Sequence, residues 1–172
     1  VSPDHLLPAT ACLIAENLGA KRAGAFDLAA ACSGFVYGVT VGAQFIRTGL
    51  HRNVLALGAE SLSRMVNYQD RNSCIIFGDG AGAAVLQPLE GSTPGHELLD
   101  YEVGADGSGY EYIWRPAGGA KYPVSPEILE RRENLMIVRG REVYRFAVST
   151  MTELVRKAIQ PYGVDHLGLI VP

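Results

Sequence analysis

The stretch Ser33–Thr48 constrains the fold of this chain more than any other. It has helical length, is followed by Gly49 as a stop, and is apolar almost all round: Phe35, Val36, Val39, Val41, Ala43, Phe45 and Ile46 leave no polar face. A helix of that kind cannot lie on a surface, so the spacing predicts a helix buried between layers. Its neighbours in the chain supply candidates for those layers. Ala23–Ala30 is an apolar segment of strand length. Asn53–Glu60, with Val-Leu-Ala-Leu inside it, reads as a strand covered on both faces. A first helix is expected over Pro8–Leu18, since Pro8 suits a first turn, Gly19 suits the position just past the end, and Ala11, Ile14, Ala15 and Leu18 share one face.

Further along, Ser61–Ser73 is polar and reads as a loop, and Cys74–Leu86 as a glycine-rich strand region. A turn is expected at Gly91–Gly95 and a strand over Leu98–Val103. Gly104–Pro126, which holds the sole tryptophan, Trp114, is a long irregular stretch of the kind that tends to carry or cover a site. The clearest helix is Arg141–Ile159, where Val143, Phe146, Ala147, Thr150, Met151, Leu154, Val155 and Ala158 recur at three-four spacing. Gly163 closes it, and Leu167–Pro172 reads as a buried strand. Alternating strands and helices place the chain in the α/β class with a layered sheet. Val1 stands where a Met would start a protein, and the last strand has no successor, so the expectation is an internal segment of a longer protein.

Composition excludes several functions. The 172 residues carry a formal charge of −3, which disfavours a binder that works by neutralising nucleic-acid phosphates. No apolar run reaches the length of a membrane span. Three cysteines are too few, and odd in number, for a disulfide framework, and none are spaced as a zinc knuckle; a reducing cytoplasm is expected. His5, His51, His96 and His166 share no ligand spacing, so no metal site is expected.

The strongest chemical candidate is Ala29-Ala-Ala-Cys32-Ser-Gly-Phe35, which sets a cysteine between a strand-like segment and the first turn of the buried helix. Free amides and the positive dipole end there favour a thiolate. The same amides can donate to an oxyanion when a thioester carbonyl is attacked. Two readings stand on the residues alone: a packed structural thiol, or an activated nucleophile given access by the small Ser33 and Gly34. Cys12 and Cys74 sit in apolar runs and read as packed thiols. Gly78-Asp-Gly-Ala-Gly82 is not a nucleotide loop, because it feeds a short segment halted by Pro88 instead of opening a helix, and no Lys-Ser or Lys-Thr follows. Arg139, Arg141, Arg145, Arg156 and Lys157 make the last long helix basic, either as a solvated face or as a surface for an acidic protein.

Three segments together resemble the β-ketoacyl-acyl-carrier-protein synthase III family of condensing enzymes: Ala30-Ala-Cys32-Ser-Gly-Phe35, Asp70-Arg71 through Leu86, and Gly140-Arg-Glu-Val-Tyr-Arg-Phe-Ala-Val148. The resemblance implies a thiolase-like layered αβαβα fold, here incomplete. Residues 1–90 would be the later part of the first half, with the nucleophile, and 91–172 a connecting loop and the start of the second half. It implies an acyltransferase that makes a Cys32 thioester from acyl-CoA and condenses it, with loss of carbon dioxide, with malonyl-acyl-carrier protein to initiate fatty acid synthesis. The second step falls to a His directly after Pro172 and to a later Asn, and His166 replaces neither. The resemblance further implies that Arg71 meets the adenine end of CoA, that Ile76, Val138, Gly140 and Tyr144 surround the pantetheine, and that Leu62 and Phe77 wall the acyl pocket. Leu7 would enter that pocket from a dimer partner, a leucine there admitting a longer or branched primer, and Arg145 would face the acidic carrier protein. It implies a cytoplasmic homodimer joined through the segment before Cys32, with no cofactor, since acyl-CoA is a substrate, and with no nucleic-acid or membrane partner.

Three alternatives were weighed beside it. A related thiolase-fold synthase of secondary metabolism shares the cysteine. A truncated acyl-binding protein would keep Cys32 without condensing. A cysteine hydrolase is disfavoured, because Ala30 stands where a nucleophile elbow has Gly.

Overall fold

A computed structural model of the chain describes residues 1–89 and 95–171. By packing they divide into two compact units: Val1–Ser63 with Gly78–Glu97, and Arg64–Phe77 with Leu98 onward.

In the first unit, helix α1 (Thr10–Asn17) is followed by irregular backbone at residues 24–30, a 3-10 turn at Ala31–Ser33, and helix α2 (Gly34–Arg47). Strands β1 (Val54–Ser61) and β2 (Asp79–Leu86) pair antiparallel without a break, from Val54 opposite Leu86 to Ser61 opposite Asp79. Small residues dominate the ladder, with Gly58 facing Gly82 and Ala59 facing Ala81. That lets α2 settle on one face of the pair. A side chain at Gly42 would bring its Cβ to 2.7 Å from Leu86 Cδ1 and 3.0 Å from Val54 Cγ1, and one at Gly58 would stand 3.2 Å from Phe35 Cβ. Ala43 and Ala56 are buried in this contact. The turn after β1 is pinned by Asp79, whose carboxylate accepts from the Ser63 amide at 2.8 Å and the Ser63 hydroxyl at 2.7 Å.

In the second unit, helix α3 (Arg71–Cys74) is capped by Asp70, which accepts from the Asn72 amide at 3.0 Å and from the hydroxyl of the buried Ser73 at 2.7 Å. Strands β3 (Ile113–Trp114) and β4 (Ile137–Val138) form a short antiparallel pair, and helix α4 (Pro126–Glu130) lies between them in sequence, capped by Ser125. The long helix α5 (Gly140–Ile159) follows, and Gly163, at φ +79°, ends the run after it. Val66 and Ala117 are buried here, and the Met136 amide donates to the Met65 carbonyl at 2.8 Å.

Several expectations are corrected. Ala23–Ala30, Leu98–Val103 and the segment from Leu167 take part in no ladder among the described residues, because strand composition makes a strand only where a partner backbone meets it. β1 is covered on one face alone: Ala56 is buried beneath α2, while Leu55 and Leu57 point away and stay exposed. α2 likewise meets the sheet on one side and leaves Phe35 and Val36 partly in solvent. The glycine-rich strand starts at Asp79, since Asp70 draws Cys74 into α3. Cys12 is exposed and Cys74 half-buried. The turn expected at Gly91–Gly95 lies, except for Gly95, outside the described residues. None of the described helices is long and apolar enough to cross a membrane, and no described cluster of His, Cys, Asp and Glu has the makings of a metal site.

Candidate active site

Cys32 occupies the middle of the 3-10 turn that runs directly into α2, and its thiol is free and exposed. No side chain caps the start of α2; the Ser33 amide donates to the Ala30 carbonyl at 3.1 Å and a further amide of the turn to the Ala31 carbonyl, so the sulfur lies beside the positive end of the helix dipole. Ala29, Ala30 and Ala31 before it, and Ser33 and Gly34 after it, keep bulk away. Phe35 lies over Gly58, which allows the first turn of α2 to lie close on β1. The arrangement suits a thiolate nucleophile.

The turn has a cost. Ala31 sits at φ +48°, a left-handed conformation that side-chain-bearing residues seldom take. The segment leading into it is held on two sides. Asp27 accepts from the Thr10 and Ala11 amides of α1, both at 2.9 Å, and Phe26 meets Phe45 of α2 edge to face at 6.4 Å. Sequence pattern does not pick out Gly58 or Ala31, and it marks Asp27 only within the run Gly24-Ala25-Phe26-Asp27, as compatible with pairing to a second copy. A run of small residues in a strand is only a hint of Gly58, and nothing local marks Ala31.

Other expected positions fall as follows. In the first unit, Leu7 is exposed in the turn before α1, and Leu62 is half-buried beside the Ser63–Asp79 clamp. In the second unit, Arg71 opens α3, with Ile76 exposed and Phe77 half-buried just after it. Here α3 packs beside β4, so the Arg71 helix adjoins the strand that carries Val138. Gly140 then opens α5, and Tyr144 projects into solvent one turn later. Along α5 runs a shallow cleft of about 650 Å³, lined by Tyr144, Arg145, Ser149 and Arg156 among others. The Arg139 guanidinium pairs with Glu111 at 3.1 Å, and the Tyr110 hydroxyl donates to the same carboxylate. The Ser73 hydroxyl and the Asn72 amide hold the Asp70 carboxyl below its ordinary range.

Helix-terminal cysteine, small-residue ladder and long following helix are those of the thiolase-like condensing-enzyme class. The profile of 3-oxoacyl-[acyl-carrier-protein (ACP)] synthase III matches residues 26–107. The chain is similar to members of this family. It is 49% identical over its whole length to the β-ketoacyl-[acyl-carrier-protein] synthase III of Desulfitobacterium hafniense strain DCB-2, covering 52% of that protein, and 42% identical to that of Caldanaerobacter subterraneus, again covering 52%. Among solved structures, the synthase III of Thermus thermophilus aligns with 93% of this chain and 47% of its own at TM-score 0.78 and 34% identity. The priming β-ketosynthase of the R1128 polyketide pathway aligns with 92% and 45% at TM-score 0.73 and 29% identity. The chain spans about half the length of the curated relatives it matches.

Proposed function

We propose that this chain carries the acyl-accepting nucleophile of a decarboxylating condensing enzyme. The observation that carries the reading is the free, exposed Cys32 at the uncapped start of α2. Its sulfur attacks the carbonyl of an acyl-CoA. The new bond from sulfur to carbonyl carbon forms as the bond to the CoA sulfur breaks, and CoA leaves as a thiolate that takes up a proton. Malonyl-acyl-carrier protein then loses carbon dioxide, and the carbanion attacks the Cys32 thioester, releasing the Cys32 thiolate. The decarboxylating groups are assigned by the resemblance to residues outside these 172. Arg71 recognises the adenine end of CoA. Ile76, Val138, Gly140 and Tyr144 line the pantetheine path, Leu62 and Phe77 the acyl pocket, and Leu7 sets primer length from a dimer partner. Arg145 meets the acidic carrier protein. The ladder-free backbone at residues 24–30 leaves groups for pairing with a second copy, and the site is cytoplasmic.

The test is intact-protein and peptide mass after incubation with acyl-CoA primers of graded length. A thioester adduct on Cys32, lost in Cys32→Ala, is the expected result. An adduct shared equally with Cys12 and Cys74, or none, overturns the reading. The polyketide priming synthase among the structural neighbours favours one second reading, a secondary-metabolic primer, which the same series distinguishes by its preferred acyl group.

A further inference from the structure

Between α1 and α2 the chain runs from Gly24 to Ala30 outside any helix or strand and then enters the Ala31–Ser33 turn. A non-glycine residue in the left-handed region persists only where its surroundings leave the chain no relaxed alternative. Downstream of Ala31 the constraint is plain, because α2 is pinned to the β1–β2 pair through Gly42 and Gly58. Upstream there is no ladder among the described residues to do the same work. What holds the segment there is a small set of contacts centred on Asp27. Each of its carboxylate oxygens accepts from one amide at the start of α1, Oδ2 from Thr10 and Oδ1 from Ala11, both at 2.9 Å. Beside it the Cys12 thiol donates to the Ala25 carbonyl at 3.5 Å, and Phe26 packs edge to face on Phe45.

We propose that Asp27 is a positioning residue for the Cys32 thiol: by clamping the segment before the turn to the N-terminus of α1, its carboxylate forces the Ala31 turn into the left-handed conformation that sets Cys32 at the head of α2. The inference rests on the reading of Cys32 as the reacting group. The bonds are well suited to the task. They are charge-assisted, and they run to two amides that α1 leaves without a side-chain cap of its own, since Ala9 precedes the helix. A neutral side chain at position 27 returns those amides to solvent and frees the segment, and the turn relaxes toward an ordinary φ. Cys32 then moves away from the helix end that favours its thiolate.

The experiment follows alkylation of each cysteine by iodoacetamide in the complete protein, read by peptide mass, alongside thermal melts. Asp27→Ala is expected to slow Cys32 roughly five- to tenfold relative to Cys74, which lies in the other unit and serves as the internal reference. Asp27→Asn retains one acceptor oxygen, folds where the alanine variant does not, and is expected to slow Cys32 by an intermediate factor. Ala31→Gly removes the strain, so in that background the loss on Asp27→Ala shrinks toward none. A lowered melting temperature with an unchanged Cys32-to-Cys74 ratio overturns the proposal, because partial unfolding alone does not slow an exposed thiol. So does an Asp27 effect of the same size in the Ala31→Gly background. Acyl transfer from acyl-CoA is measured in parallel. Its absence in the unsubstituted protein, with the alkylation series as expected, overturns the proposed function and leaves the positioning role standing.

Discussion

The two longest helices are held in opposite ways. α2 has no charged residue before its last position and comes close to the sheet at its glycines, Gly38 against Ala56 and Gly42 against Val54 and Leu86. α5 is strongly amphipathic, with Arg and Glu opposite an apolar stripe. Yet none of its side chains is fully buried, and Phe146, Val148 and Met151 remain largely exposed. The pattern that most clearly announces a helix therefore says little about how firmly it is packed. Backbone proximity, made possible by glycine and alanine, decides the packing of α2, and local hydrogen bonding decides the existence of α5.

The largest effect that sharpens this contrast is at the head of α2. Cys32→Ser should lower the rate of acyl-enzyme formation by at least about a hundredfold, since an alcohol without a matched base is a poor nucleophile, and stopped mass sampling would show it. Next is Gly42→Val, which forces a branched side chain into atoms about 3 Å away and should destabilise by about 1–3 kcal/mol in denaturant titration. The matching change on the other helix, Met151→Ala, should shift stability by no more than about 0.5 kcal/mol, since the side chain is already partly in solvent. A loss on α5 as large as that on α2 would break the comparison.

A smaller effect is set by pH. The Asp70 carboxyl is held below its ordinary value of 3.8 by Ser73 and Asn72, so its folded-state value lies below the unfolded one. Its contribution is present in full above that ordinary value and is lost as pH falls through the folded value. The melting temperatures of the protein and of Asp70→Asn should accordingly converge below pH 4, and a gap that stays constant with pH would exclude the cap as the cause. Smallest of all is Glu102→Gln, which removes one of two exposed carboxylates around Lys157. It should leave the melt unchanged within error, because Glu153 remains as partner.

Much of this was legible in the chain itself. Arg141–Ile159 was expected and Gly140–Ile159 is found; Asn53–Glu60 was expected as a strand and Val54–Ser61 is one. Both announce themselves through periodicity or a run of apolar residues bounded by turns. The placement of Cys32 at a helix start was equally readable, because strand-like and helix-like patterns meet there. Three features were not. Strand-like segments such as Leu98–Val103 depend on a partner backbone, which no local pattern supplies. Asp27 acts on amides sixteen and seventeen positions away, so its role exists only once the chain has closed on itself. Ala31 takes a conformation its own chemistry opposes, and the surroundings that impose it lie elsewhere. The residues assigned to CoA and acyl binding came from family likeness alone, and periodicity would not have found Arg71 or Leu62.

The unbroken ladder between β1 and β2 also limits how the chain can change in length. Gly82, Ala84 and Leu86 face α2 only because they stand opposite Gly58, Ala56 and Val54. Deleting one residue among 80–84 would either turn Val85 inward beneath the helix and rotate its neighbours out or, if that end keeps its register, draw Asp79 away from Ser63 and loosen the turn that carries Leu62. Substitutions on the outer face can accumulate singly, but insertions and deletions in this unit are confined to connections such as residues 48–53, outside the paired strands. The ladder is thus a gauge of length, and it ties the spacing of the glycine-rich run to the placing of a turn far from it in sequence.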